Sequence, residues 1–228
     1  MSSRFQDHPT EEKFEATDAY ICSTLLPPDA GLDDALATNE KSLPAIDVAP
    51  NQGKMLYLLA KMNKAKRILE VGTLGGYSAI WFAKAVGQGG KVVTLELLPE
   101  HAKIAQSNIE NAGFGDVVEI KIGAALETLE KMGKEGKQEF DMVFIDADKE
   151  NNLGYFQWAL KFSHVGTVIV VDNIARRGRL LGEGDPGAAK GTAALFEYMK
   201  TEKRIEATAV QTVGMKGWDG FAMALVVE

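Results

Sequence analysis

The chain has 228 residues, 46% of them hydrophobic and 25% charged, which suits one globular unit with a full core and is far from the make-up of a disordered segment. A formal charge of −7 with no long basic run argues against nucleic acid as a partner. The lone cysteine, Cys22, cannot close an internal disulfide, no apolar run is long enough to span a bilayer, and MSSRFQDHPTEEKF carries neither a secretory core nor an Arg-rich presequence, so a reducing cytoplasmic setting is expected.

The N-terminal stretch from Glu11 to about Ser42 reads as two short helices separated by Pro27 and Pro28, with Pro44 closing the second. A third helix at 51–62 follows Pro50 and places Met55, Leu56, Leu58 and Leu59 on a broad apolar face. After Lys66 short apolar runs bounded by Gly or Asp alternate with amphipathic stretches, the rhythm of βαβ units. Strands are predicted at 67–71, 91–96, 117–122, 140–146, 167–172, 204–210 and 221–227, and helices near 78–86, 100–112, 124–132, 152–162 and 188–201. Strands four and five are apolar nearly throughout, as central parallel strands covered on both faces must be. The last two strands have only a loop around 214–220 between them and should pair as an edge hairpin. Residues 133–137 and 182–187 read as Gly- and charge-rich loops. The expected fold is α/β: a Rossmann-like, doubly wound, seven-stranded sheet, mostly parallel with the last strand antiparallel, with helices on both faces. The whole of 1–228 is one domain, in which 1–45 forms an N-terminal helical extension.

The first strand runs through Glu70 and Val71 into Gly72-Thr73-Leu74-Gly75-Gly76-Tyr77-Ser78 and a helix, the place where doubly wound sheets bind nucleotides. By itself a Gly-rich turn can serve close packing alone. The second strand ends in Glu96, about twenty residues on, where a carboxylate can accept from ribose hydroxyls. Leu74 stands where a dinucleotide fingerprint needs glycine for pyrophosphate approach, so the turn suits a ligand without phosphates. S-adenosylmethionine (SAM), a sulfonium cation, is such a ligand, and acidic neighbours such as Glu70 and Glu96 suit it.

Strand four ends in Asp146-Ala147-Asp148-Lys149 and strand five in Asp172-Asn173, with one helix between them. Adjacent parallel strands would bring Asp146, Asp172 and Asn173 together as an all-oxygen donor set for a hard divalent cation such as Mg²⁺. His8, His101 and His164 are too scattered for zinc. Singly, each acid could equally be a helix cap or turn residue. Lys149 sits where its amine could take a proton from an attacking hydroxyl, although a lone lysine is more often surface.

The segments EVGTLGGYS, FIDADKENN and VVDN together resemble the cation-dependent, SAM-dependent O-methyltransferases, the group of catechol and caffeoyl-CoA O-methyltransferases and their bacterial and fungal relatives. The likeness runs from about Ala45 onward, and VAPNQGKML resembles the segment that covers the donor. It implies SAM contacts at Val48, Glu70, Gly72, Thr73, Ser78, Glu96 and Ala125, with Asp146 and Asp148 near the methionine end. It implies metal ligation by Asp146, Asp172 and Asn173, and a catalytic set of Lys149 as base with Asp146 and Asn173, the last doubling as a substrate-oxygen contact through the metal. The acceptor would be a small phenolic molecule, and the protein a homodimer. Asn152 departs from the Tyr that many plant-type relatives carry, and residues 174–186 match no assignable substrate loop. Arg176, Arg177 and Arg179 read first as a solvated basic loop and second as contacts for an acidic or CoA-linked acceptor. Trp218 either walls an aromatic acceptor or packs on its own hairpin. Two competing functions stay open: a NAD-dependent oxidoreductase, against which Leu74 speaks, and a non-catalytic SAM-fold binding protein, against which the carboxylates and Lys149 speak.

Overall fold

The computed structural model describes residues 10–136, 138–181 and 186–228. Three helices come first: α1 (Glu11–Leu25), α2 (Ala30–Ser42) and α3 (Pro50–Met62). Asp29 starts α2 by accepting from Leu32 N at 3.2 Å, and Pro50 occupies the first turn of α3, where a missing N–H costs nothing. The alternation then runs β1 (Arg67–Val71), α4 (Tyr77–Val86), β2 (Lys91–Glu96), α5 (Pro99–Asn111), β3 (Val118–Ile122), α6 (Ala125–Glu135), β4 (Phe140–Ile145), α7 (Asn152–Lys161), β5 (Ser163–Asp172), α8 (Pro186–Thr201), β6 (Ile205–Gly214) and β7 (Gly217–Val226). Short 3-10 segments at Lys149–Asn151 and Arg176–Leu181 follow β4 and β5.

The seven strands lie in the order β3-β2-β1-β4-β5-β7-β6, parallel except for β7, which runs antiparallel to both of its neighbours. Side chains along each strand alternate between two cores. Leu69, Val93, Val143 and Ile169 face α6, α7 and α8, whereas Ile68, Val92, Phe144 and Val170 face α2 to α5. The chain order reverses between β1 and β4, so a crevice opens at the carboxyl ends of those strands. No described helix is long and apolar enough to cross a membrane.

The expected fold class is present, with differences that have local causes. Residues 133–135 continue α6 instead of forming a loop, because Gly133 is in the helix to make room for Trp158, whose ring lies 2.8 Å from where a Cβ would stand. Of the expected 182–187 loop, residues 182–185 lie outside the described residues, and Pro186 and Gly187 belong to α8. Lys137 and His8 also lie outside them. The 214–220 loop shrinks to Met215 and Lys216, since Gly214 pairs with Gly217 and Trp218 with Val213 in the ladder. On α3, Leu56 is fully buried but Leu58 is 47% exposed, so the apolar face is narrower than the sequence suggests.

Candidate active site

A cleft of about 840 Å³ opens over the carboxyl ends of β1, β2, β4 and β5. Its shape starts at Gly72, which has φ +102° and lies so close to the end of β4 that a Cβ would meet Asp146 O at 2.5 Å. Leu74 adopts a left-handed φ of +47°, and its N–H donates to Glu96 Oε2 at 2.9 Å. Thr73 N reaches the same oxygen at 3.3 Å, and Leu98 N donates to Glu96 Oε1 at 2.9 Å. Glu96 therefore binds the Gly-rich turn to the end of β2. An ionised carboxylate offers about four lone-pair sites, which leaves it capacity for a ligand hydroxyl.

Gly75 has a different cause from the one its motif suggests. Its missing Cβ makes way for the Asn39 side chain of α2. Asn39 accepts from Asn108 Nδ2 at 2.9 Å, Asn108 also donates to Gly75 O at 2.9 Å, and Asn39 donates to Asp47 Oδ1 at 2.8 Å. This buried relay holds the segment before α3, including Asp47 and Val48, over the cleft. Burial pushes the Asp47 carboxyl above its ordinary range.

Val48, Gly72, Thr73, Ser78, Glu96, Ala125, Asp146, Asp148, Lys149 and Asn173 all line the cleft. Glu70 and Asp172 do not: Glu70 is fully buried behind the wall and Asp172 is buried at the end of β5. Thr94 Oγ1 donates to Glu70 Oε2 at 2.6 Å and lies 2.6 Å from Thr73 Oγ1, which connects the hidden carboxylate to the lining through two hydroxyls. Burial pushes Glu70 up to about 8, partly offset by the Ser78 and Thr94 hydroxyls, and its Oε1 has no hydrogen-bond partner.

β4 and β5 pair with Ile145 opposite Val171, so Asp146 and Asp172 leave adjacent strand ends side by side. Asp172 is only 4% exposed. Burial first, and the Asp146 carboxylate second, push its carboxyl up to about 7 against the pull of Lys149. Asn173 follows with a left-handed φ of +56°, which turns the chain sharply at the cleft edge. Lys149 is 8% exposed and donates to Asp146 Oδ1 at 2.8 Å. Gly191 of α8 packs against the 3-10 turn that carries this lysine, with Glu150 Cα 2.7 Å from where a Cβ would stand. Asp148 accepts from Tyr155 OH at 2.5 Å and from Asn151 Nδ2 at 2.6 Å, which fixes it on the wall.

Asp146 and Asp172 stand at adjoining strand ends with Asn173 next in the chain, oxygen-bearing residues of the type that a hard divalent cation takes. Among the described residues no group of three or more His, Cys, Asp or Glu gathers as a metal site, and this set has two such residues. His101 stands 3.7 Å from Glu96, and His164 pairs with Asp141 at 3.0 Å.

Of the basic loop, Arg176 reaches the cleft, while Arg177 pairs with Glu11 of α1 at 2.8 Å. Asp219 Oδ1 accepts from Ala175 N at 3.2 Å and Arg176 N at 2.9 Å, fixing the start of that loop. Trp218 is outside the lining; its Nε1 donates to Gln211 Oε1 at 2.9 Å on the neighbouring strand, so it packs on its own hairpin. Thr94, Asn39, Asn108 and Gln52 carry roles that cannot be read from the chain alone, because each acts across a large separation in it.

The O-methyltransferase family model matches residues 32–225. A catechol O-methyltransferase of Mycobacterium tuberculosis is 49% identical over 210 residues, covering 92% of this chain and 94% of its own length. A catechol O-methyltransferase of Niastella koreensis is 48% identical over 219 residues, covering 93% of this chain and 97% of its own. The crystal structure of an O-methyltransferase from Bacillus cereus in complex with SAH superposes with a TM-score of 0.92 at 47% identity, covering 95% of this chain and 100% of that one. These likenesses decide against the nicotinamide and non-catalytic readings. The chain belongs to the O-methyltransferase family, as a SAM-dependent enzyme of the catechol and caffeoyl-CoA O-methyltransferase type.

Proposed function

We propose that this chain transfers a methyl group from SAM to one hydroxyl of a vicinal dihydroxy aromatic, such as a simple catechol, a flavonoid or a caffeoyl ester, with a divalent cation, Mg²⁺ by preference, at Asp146, Asp172 and Asn173. The observation that carries this reading is the buried Asp172 beside Asp146, a like-charged pair whose mutual repulsion a cation cancels. When bound, SAM supplies an electrophilic methyl group and the cation holds adjacent acceptor oxygens and favours the phenolate.

Lys149 Nζ as the neutral amine takes the phenolic proton, and the ammonium so formed is held by Asp146 Oδ1, its partner at 2.8 Å. Val48, Gly72, Thr73, Ser78, Glu96 and Ala125 bind and orient the donor, Asp146 and Asp148 face its amino-acid end, and Glu70 acts on it through Thr94 and Thr73. Asn173, in the cleft lining, helps to orient the acceptor. Burial of Lys149 and Asp172 keeps water from competing for the proton and for the acceptor oxygens.

Protein dialysed against EDTA and assayed with SAM and a panel of catechols, flavonoids and caffeoyl-CoA is expected to be inactive until Mg²⁺ is restored. Turnover that persists under chelation removes the cation from the mechanism. A homodimer is part of the same proposal, supported by the edge strand β6, exposed along most of its length with Val210 46% and Val213 55% accessible. Light scattering that reads a monomer at micromolar concentration refutes that element.

A further inference from the structure

Gln52 lies within VAPNQGKML but carries none of the roles that the resemblance implies, and its side chain reaches the site from α3. Its Nε2 donates to Asp172 Oδ2 at 2.7 Å. Asp172 is 4% exposed, so the bond forms where water does not compete. A hydrogen bond to one carboxylate oxygen fixes the rotation of the group and with it the direction in which the other oxygen offers its lone pairs.

Gln52 is itself seated. Asn51 Oδ1 accepts from Gln52 N at 3.0 Å, and Asn51 Nδ2 donates to Asp18 Oδ1 at 2.8 Å. Asp18 is 7% exposed on a helix whose other residues are partly or wholly exposed, and its Oδ2 accepts from Met215 N at 2.8 Å in the turn between β6 and β7. Gly53, the next residue, lets α3 approach the Trp81 ring of α4, so the first turn of α3 is held on two sides.

We propose that Gln52 is a positioning residue for the cation site, aiming the Asp172 carboxylate, and that Asp18 and Asn51 hold Gln52 in place for that task. The proposal rests on the metal reading above. Outer partners of this kind typically change metal affinity by about 10- to 100-fold when removed.

The test is calorimetric titration of Mn²⁺ into the full chain saturated with S-adenosylhomocysteine, for the wild type, Gln52→Met, Asn51→Ala and Asp172→Ala. Gln52→Met keeps the volume and loses the donor. It is expected to weaken Mn²⁺ binding about tenfold, with S-adenosylhomocysteine affinity unchanged. Asn51→Ala, which unseats Gln52 without touching Asp172, is expected to weaken it several-fold. If Asp172→Ala loses Mn²⁺ while both other variants bind it as the wild type does, the positioning role is overturned and the metal reading stands. A wild type that takes up no Mn²⁺ overturns both.

Discussion

Lys149 and Asp146 form an ion pair of 2.8 Å at the floor of the cleft, the lysine side chain being 8% exposed and the aspartate 20%. A lysine so enclosed gives up about 2 kcal/mol of rotamer entropy and much of its hydration, a cost that a merely structural surface residue does not bear.

Replacing Lys149 by Met, which preserves length without a proton acceptor, is expected to lower kcat by about 10²- to 10⁴-fold. Binding of S-adenosylhomocysteine should hardly change. Steady-state kinetics with a catechol acceptor reads the first and calorimetry the second; near-normal kcat refutes the base.

Gly191→Ala tests how the lysine is held. The added methyl would press on the 3-10 turn at Glu150 Cα, 2.7 Å away, so the turn must shift. A misplacement of about 1 Å can cost about 100-fold in rate, while overpacking costs about 1–3 kcal/mol of stability. Activity should therefore fall much more than the urea midpoint does.

Gly72→Ala combines a φ of +102° with a Cβ 2.5 Å from Asp146 O. Strain and overpacking together predict a loss of about 2–5 kcal/mol, measured by urea denaturation. A loss below about 1 kcal/mol would mean that β1 and β4 can separate locally at little cost.

Glu96→Ala removes the acceptor for the N–H groups of Thr73, Leu74 and Leu98. Hydrogen bonds to a charged group are worth about 1.5–3 kcal/mol each, so the turn should loosen and donor affinity fall at least about tenfold. An S-adenosylhomocysteine Kd equal to the wild type's contradicts this.

The pH dependence of stability should carry the signature of Glu70. Its pKa is about 8 in the folded chain against 4.5 ordinarily, so between those values the folded state holds a proton that the unfolded state has released. Stability from this group is full below about pH 4.5 and declines as pH rises through 8. Glu70→Gln abolishes the titration. Its stability relative to the wild type should improve from pH 5.5 to 8.5 by more than about 1 kcal/mol, measured as urea midpoints at both values; a constant difference would show Glu70 to be charged when folded.

Much of the fold was legible because the forces behind it are local and periodic. The alternation of β and α stretches after Lys66, the prolines before α3 and the glycines before α4 act within a few residues of their own positions. The strand-end acids were legible for a related reason: in a parallel sheet, sequence order already brings the ends of β4 and β5 to the same crevice. Gly133 shows the limit, since its reason is the Trp158 ring and not a turn.

What the sequence determined by itself was the layered α/β architecture, the donor turn and the acids Asp146 and Asp172 with their neighbours Asn173 and Lys149. Only the tertiary structure decided that Glu70 lies behind the wall, that Gly75 yields to Asn39, and that Gln52 holds Asp172 from 120 positions away. Periodicity and propensity report which face of its own element a residue occupies. Which partner meets that face is set by the packing of whole elements, so contacts between distant segments leave no trace in either segment read alone.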